Sequence, residues 1–287
     1  FEATSGVEVE VRYAKSAELA GTIVLEGAIS PADIFFSQDP ISLGVVAKEG
    51  LFETLPNDIL VSVPSWASDK KGYWVGTSGR SRSLVIDTRD VTPEELPNDI
   101  YGLADEKFRS RLGLAPTNSS FIAMVSCMIE LDGEEKVLDW LSSINSLDYT
   151  EYPKNSPQVA AADSGELDIG MVNHYYTLRL LAENGDSSIK NVYLDSGCGA
   201  MVMPAGVGIL SSSQNKTAAK AFIEFLHSKS VQETFTNSLY EFPLVKGIEP
   251  NDLLPNLENL NSPLNLNWSA LAIWQEKAVE LIAKSGF

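Results

Sequence analysis

Two arginines, Arg80 and Arg82, close the run YWVGTSGRSR at residues 73–82, directly after a strand-like stretch and a glycine turn. A guanidinium in that position presents planar N–H donors suited to an oxyanion, although an arginine at a strand end is more often a plain surface residue. Three other places read as helix starts: Asn118, Ser119 and Ser120 ahead of the apolar Phe121, Ser156 followed by Pro157, and Asn173 after the apolar residues 167–172. The first N–H groups of a helix have no intrahelical acceptor, so such residues either cap the helix or leave donors for an anion. Singly, each is an ordinary cap. The adjacent Tyr175 and Tyr176, taken in isolation, read as one core and one surface aromatic.

Other chemistry is poorly provided for. The two histidines, His174 and His227, stand without a G-x-S-x-G elbow, and a P-loop, a G-x-G-x-x-G turn, an H-E-x-x-H helix and an EF-hand loop are all missing. His227 falls late in a helical pattern that follows Asn215, where a cation favours the helix dipole. With only Cys127 and Cys198, a cysteine-rich zinc module is excluded, and the pair is left as either one bridge or two buried thiols.

These residues need elements to hold them. Val7, Val9, Val11 and Tyr13 alternate with charged residues at the period of a strand, and short apolar runs at 32–36, 73–75, 84–86, 167–172 and 205–210 also read as strands. Helical spacing groups Phe121, Ile122, Val125, Met128 and Ile129; Ala218, Phe222, Phe225 and Leu226; and Leu271, Trp274, Ala278 and Leu281, the last helix ending near residues 284–286. Residues 247–263, rich in Pro, Asn and Leu, read as a long irregular connection. The alternation predicts an α/β architecture with mainly parallel sheets.

At 287 residues and 44% hydrophobic content the chain can bury a large core in one large or two modest domains. Its net charge of −18, from 21 basic and 39 acidic residues, argues against nucleic acid, which demands a basic surface. No apolar run is long enough to span a bilayer, and the first residues lack a signal peptide's pattern, so an exported chain would be in mature form.

The run LDIGMVNHYY at residues 167–176 resembles the strand, asparagine and paired tyrosines of periplasmic ferric-ion-binding proteins, the bacterial transferrins. SPADIFFSQD (30–39), YWVGTSGRSR (73–82), APTNSSF (115–121), YPKNS (152–156) and AGVGILSSSQNKTAAKAFIEFL (205–226) resemble the same family in the same order, so the likeness spans nearly the whole chain. It implies an α/β, type II periplasmic-binding fold: two α/β lobes with a hinge and an interlobe cleft. Residues 1–81 and 206–254 would form the N-terminal lobe and 82–205 and 255–287 the C-terminal lobe, with the family's first strand and helix absent.

The resemblance also implies a metal site at Tyr175 and Tyr176. Ferric ion is a hard acceptor that prefers anionic oxygen, and coordination stabilises a phenolate although free tyrosine ionises near about 10. Gln38 falls where many members place a glutamate ligand, and a neutral amide binds ferric ion more weakly. Phe121 stands near where some relatives use a further tyrosine. Asn118, Ser119, Ser120, Asn155 and Asn173 would surround a synergistic anion, carbonate or phosphate, with Arg80, and less favourably Arg82, as an added donor. A trivalent cation, two phenolates and a doubly charged anion leave one negative charge for an arginine to offset.

The implied function is capture of ferric iron outside the cytoplasm, as a periplasmic monomer without enzymatic activity. Delivery would be to an ABC permease and its ATPase, with membrane contact only through the permease or a lost lipid anchor. An oxidising compartment would favour the Cys127–Cys198 bridge. A binding protein for an oxyanion or small organic acid without metal is the alternative, and an enzyme or a sensory protein on the same scaffold is more remote.

Overall fold

The computed structural model describes residues 1–185, 187–263 and 266–287. The chain divides into two compact units: unit 1 comprises Phe1–Gly79, Met203–Asn251 and Asn267–Ala272, and unit 2 comprises Arg80–Val202, Asp252–Leu266 and Ile273–Phe287. The sequence reading gave the whole of 255–287 to the second lobe. The first turn of the final helix, Trp268–Lys284, instead belongs to unit 1, where Trp268 Nε1 donates to the Trp66 carbonyl at 2.8 Å.

The strands, in chain order, are β1 (Ile34–Ser37), β2 (Val75–Asp87), β3 (Leu112–Leu114), β4 (Thr150–Glu151), β5 (Ile169–Asn173), β6 (Ile189–Val192), β7 (Val202–Ile209) and β8 (Phe242–Pro243). Two short strands were expected at 73–75 and 84–86. They are one continuous strand, β2, buried at all its positions, which passes from unit 1 to unit 2 between Gly79 and Arg80. The pairing also differs from the mainly parallel expectation. β1 with β7, and β2 with β5, β6 and β8, are antiparallel, and β3 with β4 and β5 is parallel. Period and hydrophobicity identify a strand but not the direction of its neighbour, and the long β2 takes its partners from strands running the other way.

The alternating stretch 7–13 is not a strand. Its side chains are exposed or half-buried, with Tyr13 at 89% exposure, so no apolar face is buried to offset the ordering of the backbone. In unit 1 the helix Lys216–Leu226 also turns a different stripe inward: Ala219, Ile223 and Leu226 are buried. Phe222 and Phe225, expected on the core face, are half-buried and meet the Phe1 ring at centroid distances of 5.2 and 5.4 Å. Gly208 of β7 is required by close approach, since a Cβ there would sit 2.6 Å from the Phe52 ring.

In unit 2 the helix Ser119–Asp132 is capped by Asn118, whose side chain accepts from Ser120 N, and it buries Phe121, Met124, Val125, Cys127 and Met128. Cys127 is bonded to Cys198, with Cα atoms 5.8 Å apart, which resolves the alternative left open by the sequence in favour of a bridge. The helix expected to have Ser156 as its N-cap and Pro157 at its first position starts instead at Asn155, with Lys154 as its N-cap, so Pro157 lies at its third position, where a missing N–H is still harmless. Val85, Val159, Ala162, Val172 and Ile189 form a buried cluster between sheet and helices. Among the described residues no helix is long and apolar enough to cross a membrane.

Candidate anion and metal site

β5 runs without a break into the helix His174–Asn184, so Asn173 is at once the last strand residue and the helix N-cap. In a strand, Tyr175 and Tyr176 would diverge to opposite faces. In a first helical turn successive side chains are separated by only about 100°, and the two rings lie side by side, with centroids 4.3 Å apart and planes inclined by 33°. Tyr175 is buried, and Tyr176 packs on the Val85, Val159 and Val172 cluster. Arg80 Cζ lies 5.8 Å from the Tyr175 ring centroid, and Arg179 Cζ lies 4.8 Å from it. Arg179 was missed in the sequence, although its spacing of four from Tyr175 on one helix is the signal that could have found it.

Arg82 is the centre of the polar cluster. It was ranked below Arg80 as an anion donor, yet it is 1% exposed, and in the β2–β5 register it stands opposite Asn173. Its Nη1 donates to Asn173 Oδ1 at 2.9 Å and to Ser120 Oγ at 3.0 Å, and its Nη2 donates to the Met171 carbonyl at 3.1 Å. Its Nε has no partner among the described residues. Burial drives the Arg82 pKa down to about 10, and the neighbouring Tyr175 and Tyr176 oppose that shift.

The five other residues expected around an anion are not equivalent. Ser120 Oγ accepts from Arg82 and from Asn155 Nδ2 at 3.3 Å, and it gives its single proton to Asn118 Oδ1 at 2.7 Å. Its hydrogen-bonding capacity is thus filled by protein. Asn118 also accepts from Ser120 N at 3.0 Å, as a cap does. Asn173 does not cap its own helix with its side chain, because its oxygen is turned to Arg82. The first N–H groups of that helix therefore lack a side-chain acceptor from the N-cap. Ser119 is exposed at the head of its helix.

Gln38 belongs to unit 1, on the exposed turn after β1, where its N–H donates to Ser16 Oγ at 3.2 Å. Its neighbour Asp39 caps the following helix Pro40–Lys48, accepting from Ser42 N at 2.7 Å. Among the described residues no group of three or more His, Cys, Asp or Glu is arranged to hold a metal. The oxygens of the cluster are those of phenols, amides and hydroxyls.

The histidines do structural work. His174 is fully buried, and its Nδ1 lies 3.1 Å from the Ser81 nitrogen and 3.3 Å from the Ser81 carbonyl oxygen. His227 is not a dipole-favoured cation: Nε2 meets the Gly76 carbonyl at 3.0 Å, Nδ1 faces Ser62 Oγ at 3.0 Å, and burial lowers its pKa.

The chain belongs to the bacterial extracellular solute-binding protein family, whose model matches residues 30–272. It is 33% identical over 295 residues to the major ferric iron-binding protein of Neisseria meningitidis serogroup B, a match covering 100% of this chain and 87% of that protein. It is 31% identical over 290 residues to the Fe(3+)-binding periplasmic protein of Serratia marcescens, covering 100% of this chain and 85% of that protein. The structure of iron-bound HitA from Pseudomonas aeruginosa superposes with a TM-score of 0.91 at 28% identity, covering 100% of this chain and 93% of that one. The α/β periplasmic-binding fold expected from the sequence therefore holds, and the protein is a solute-binding protein rather than an enzyme.

Proposed function

We propose that the protein captures ferric iron outside the cytoplasm, with Tyr175 and Tyr176 as phenolate ligands and a synergistic anion such as carbonate or phosphate completing the shell. The observation that carries this reading is the side-by-side placement of the two tyrosine rings in the first turn of a helix that has no side-chain cap. Two phenol oxygens on one turn suit a hard trivalent cation, and a helix head whose N-cap side chain is turned elsewhere, with the Arg80 guanidinium near Tyr175, suits an anion. Relatives named for ferric-iron binding support the choice of cargo. The same family membership supports secretion and delivery to an ABC permease with its ATPase.

The test is addition of ferric iron to metal-free protein in bicarbonate buffer. The expected result is one iron per chain by elemental analysis, together with a visible phenolate-to-iron charge-transfer band. Stoichiometric binding of an oxyanion or small organic acid, with no iron retained, would favour the metal-free alternative.

A further inference from the structure

Arg82 and Asp87 lie on the same strand and are buried to the same 1%, yet they are treated differently. Asp87 is paired with the Arg89 guanidinium at 2.7 Å. Arg82 has no carboxylate within ion-pair distance among the described residues, and its partners, the Ser120 hydroxyl, the Asn173 amide oxygen and the Met171 carbonyl, are all neutral. A charge taken out of water is costly unless an opposite charge meets it, and neutral acceptors recover only part of that cost. The partnerless Nε adds an unsatisfied donor to the same group.

We infer that Arg82 is a built-in counter-charge for the loaded site: a positioning residue that leaves the metal-free protein with an uncompensated buried cation, neutralised when iron arrives with phenolates and an anion. The inference rests on the ferric-phenolate reading above. Formal charge agrees with it, because a trivalent cation, two phenolates and a doubly charged anion sum to one negative charge, which a guanidinium beside the site offsets. Geometry favours it as well. Both Nη atoms hold Ser120, Asn173 and Met171, so Arg82 acts on the site through the residues at the heads of two helices and through its field.

The experiment compares Asn173→Asp, Arg82→Gln and Arg82→Lys with the wild-type chain, metal-free and loaded with ferric iron in bicarbonate. Asn173→Asp is nearly isosteric and sets a permanent carboxylate at the 2.9 Å contact. It is expected to raise the metal-free melting temperature by a few degrees and to shrink the further rise on loading. A metal-free melting temperature that is unchanged or lower overturns the inference. Arg82→Gln is expected to lose iron affinity by about 10–100-fold, the scale of an outer-shell partner, while Arg82→Lys, which keeps the charge without the fork, loses less. Equal losses overturn the counter-charge and leave a purely geometric role. Should Arg82→Gln fail to fold, the Asn173→Asp melting temperatures decide. Absence of a visible band in the wild-type protein would overturn the ferric reading separately, and the metal-free Asn173→Asp comparison would still judge the buried charge.

Discussion

Arg82 and Asn173 face each other across the β2–β5 register and are joined by a 2.9 Å hydrogen bond from guanidinium to amide oxygen. This contact turns the Asn173 side chain away from the helix it begins, so the residue that looks like a cap holds the neighbouring strand instead. Through the same nitrogen Arg82 reaches Ser120, and Ser120 in turn reaches Asn118 and Asn155. One guanidinium thereby fixes the heads of the helices Ser119–Asp132, Asn155–Ser164 and His174–Asn184 relative to one another.

Removing one phenol oxygen while keeping its ring separates ligation from packing. Tyr175→Phe and Tyr176→Phe should each fold normally, reduce ferric affinity by at least about 10–100-fold, the loss typical even of an outer-shell partner, and shift or weaken the visible band. The double substitution should abolish it. Citrate competition followed by absorbance measures both. Wild-type colour and affinity in all three variants would show the tyrosines to be structural.

Ser119 and Ser120 are neighbours in sequence with different expected costs. Ser120→Ala leaves the Arg82 and Asn155 donors and the Asn118 acceptor short of a buried partner, and should cost about 1–3 kcal/mol in urea denaturation. Ser119→Ala, at an exposed position, should stay within about 0.5 kcal/mol. Similar values for the two would mean that the Ser120 network contributes no net stability.

The Cys127–Cys198 bridge closes a sequence separation of 71 residues inside unit 2. Constraint of the unfolded chain over such a loop corresponds to roughly 4 kcal/mol. Denatured, non-reduced protein should therefore show no free thiols, and the Cys127→Ser, Cys198→Ser double variant should lose a large part of its stability. Two titratable thiols in freshly purified protein from an oxidising compartment would contradict the pairing.

His227 gives unit 1 a pH-dependent contribution to stability. Burial holds its pKa below the ordinary histidine value, so the unfolded state binds the proton more readily than the folded one. Stability from this residue is present above an unfolded pKa of about 6.5 and declines as pH falls below it towards the folded value. The denaturation midpoint of His227→Gln, measured between about pH 7 and pH 5, should fall less steeply with acid than that of wild type. Equal slopes would show that His227 does not titrate differently on folding.

Much of the architecture was legible because it rests on local rules. Asn118 before an apolar helix, the strand running into Asn173, and the final helix ending near residue 284 are set by capping and by hydrophobic period, which act over a few residues. The same rules misread residues 7–13, where the period of a strand is present but no partner covers it, and they divided β2 at its small and polar middle residues. Polar residues inside a buried strand break the apolar pattern, and the hydrogen bonds that satisfy them come from residues far along the chain.

The sequence by itself determined the residue types of the site, the adjacency of Tyr175 and Tyr176 and their place at a strand-to-helix junction, because these are properties of neighbours. Only the tertiary structure decided what each polar residue does. Arg82 is bonded to Asn173 because β2 sets it opposite; Ser120 is filled by protein partners while Ser119 is exposed; and Arg179 lies against the Tyr175 ring. Register across strands and the meeting of helix heads are long-range packing outcomes. A side chain's hydrogen-bonding capacity is used up by whichever partners that packing delivers, and no spacing rule along one segment contains them.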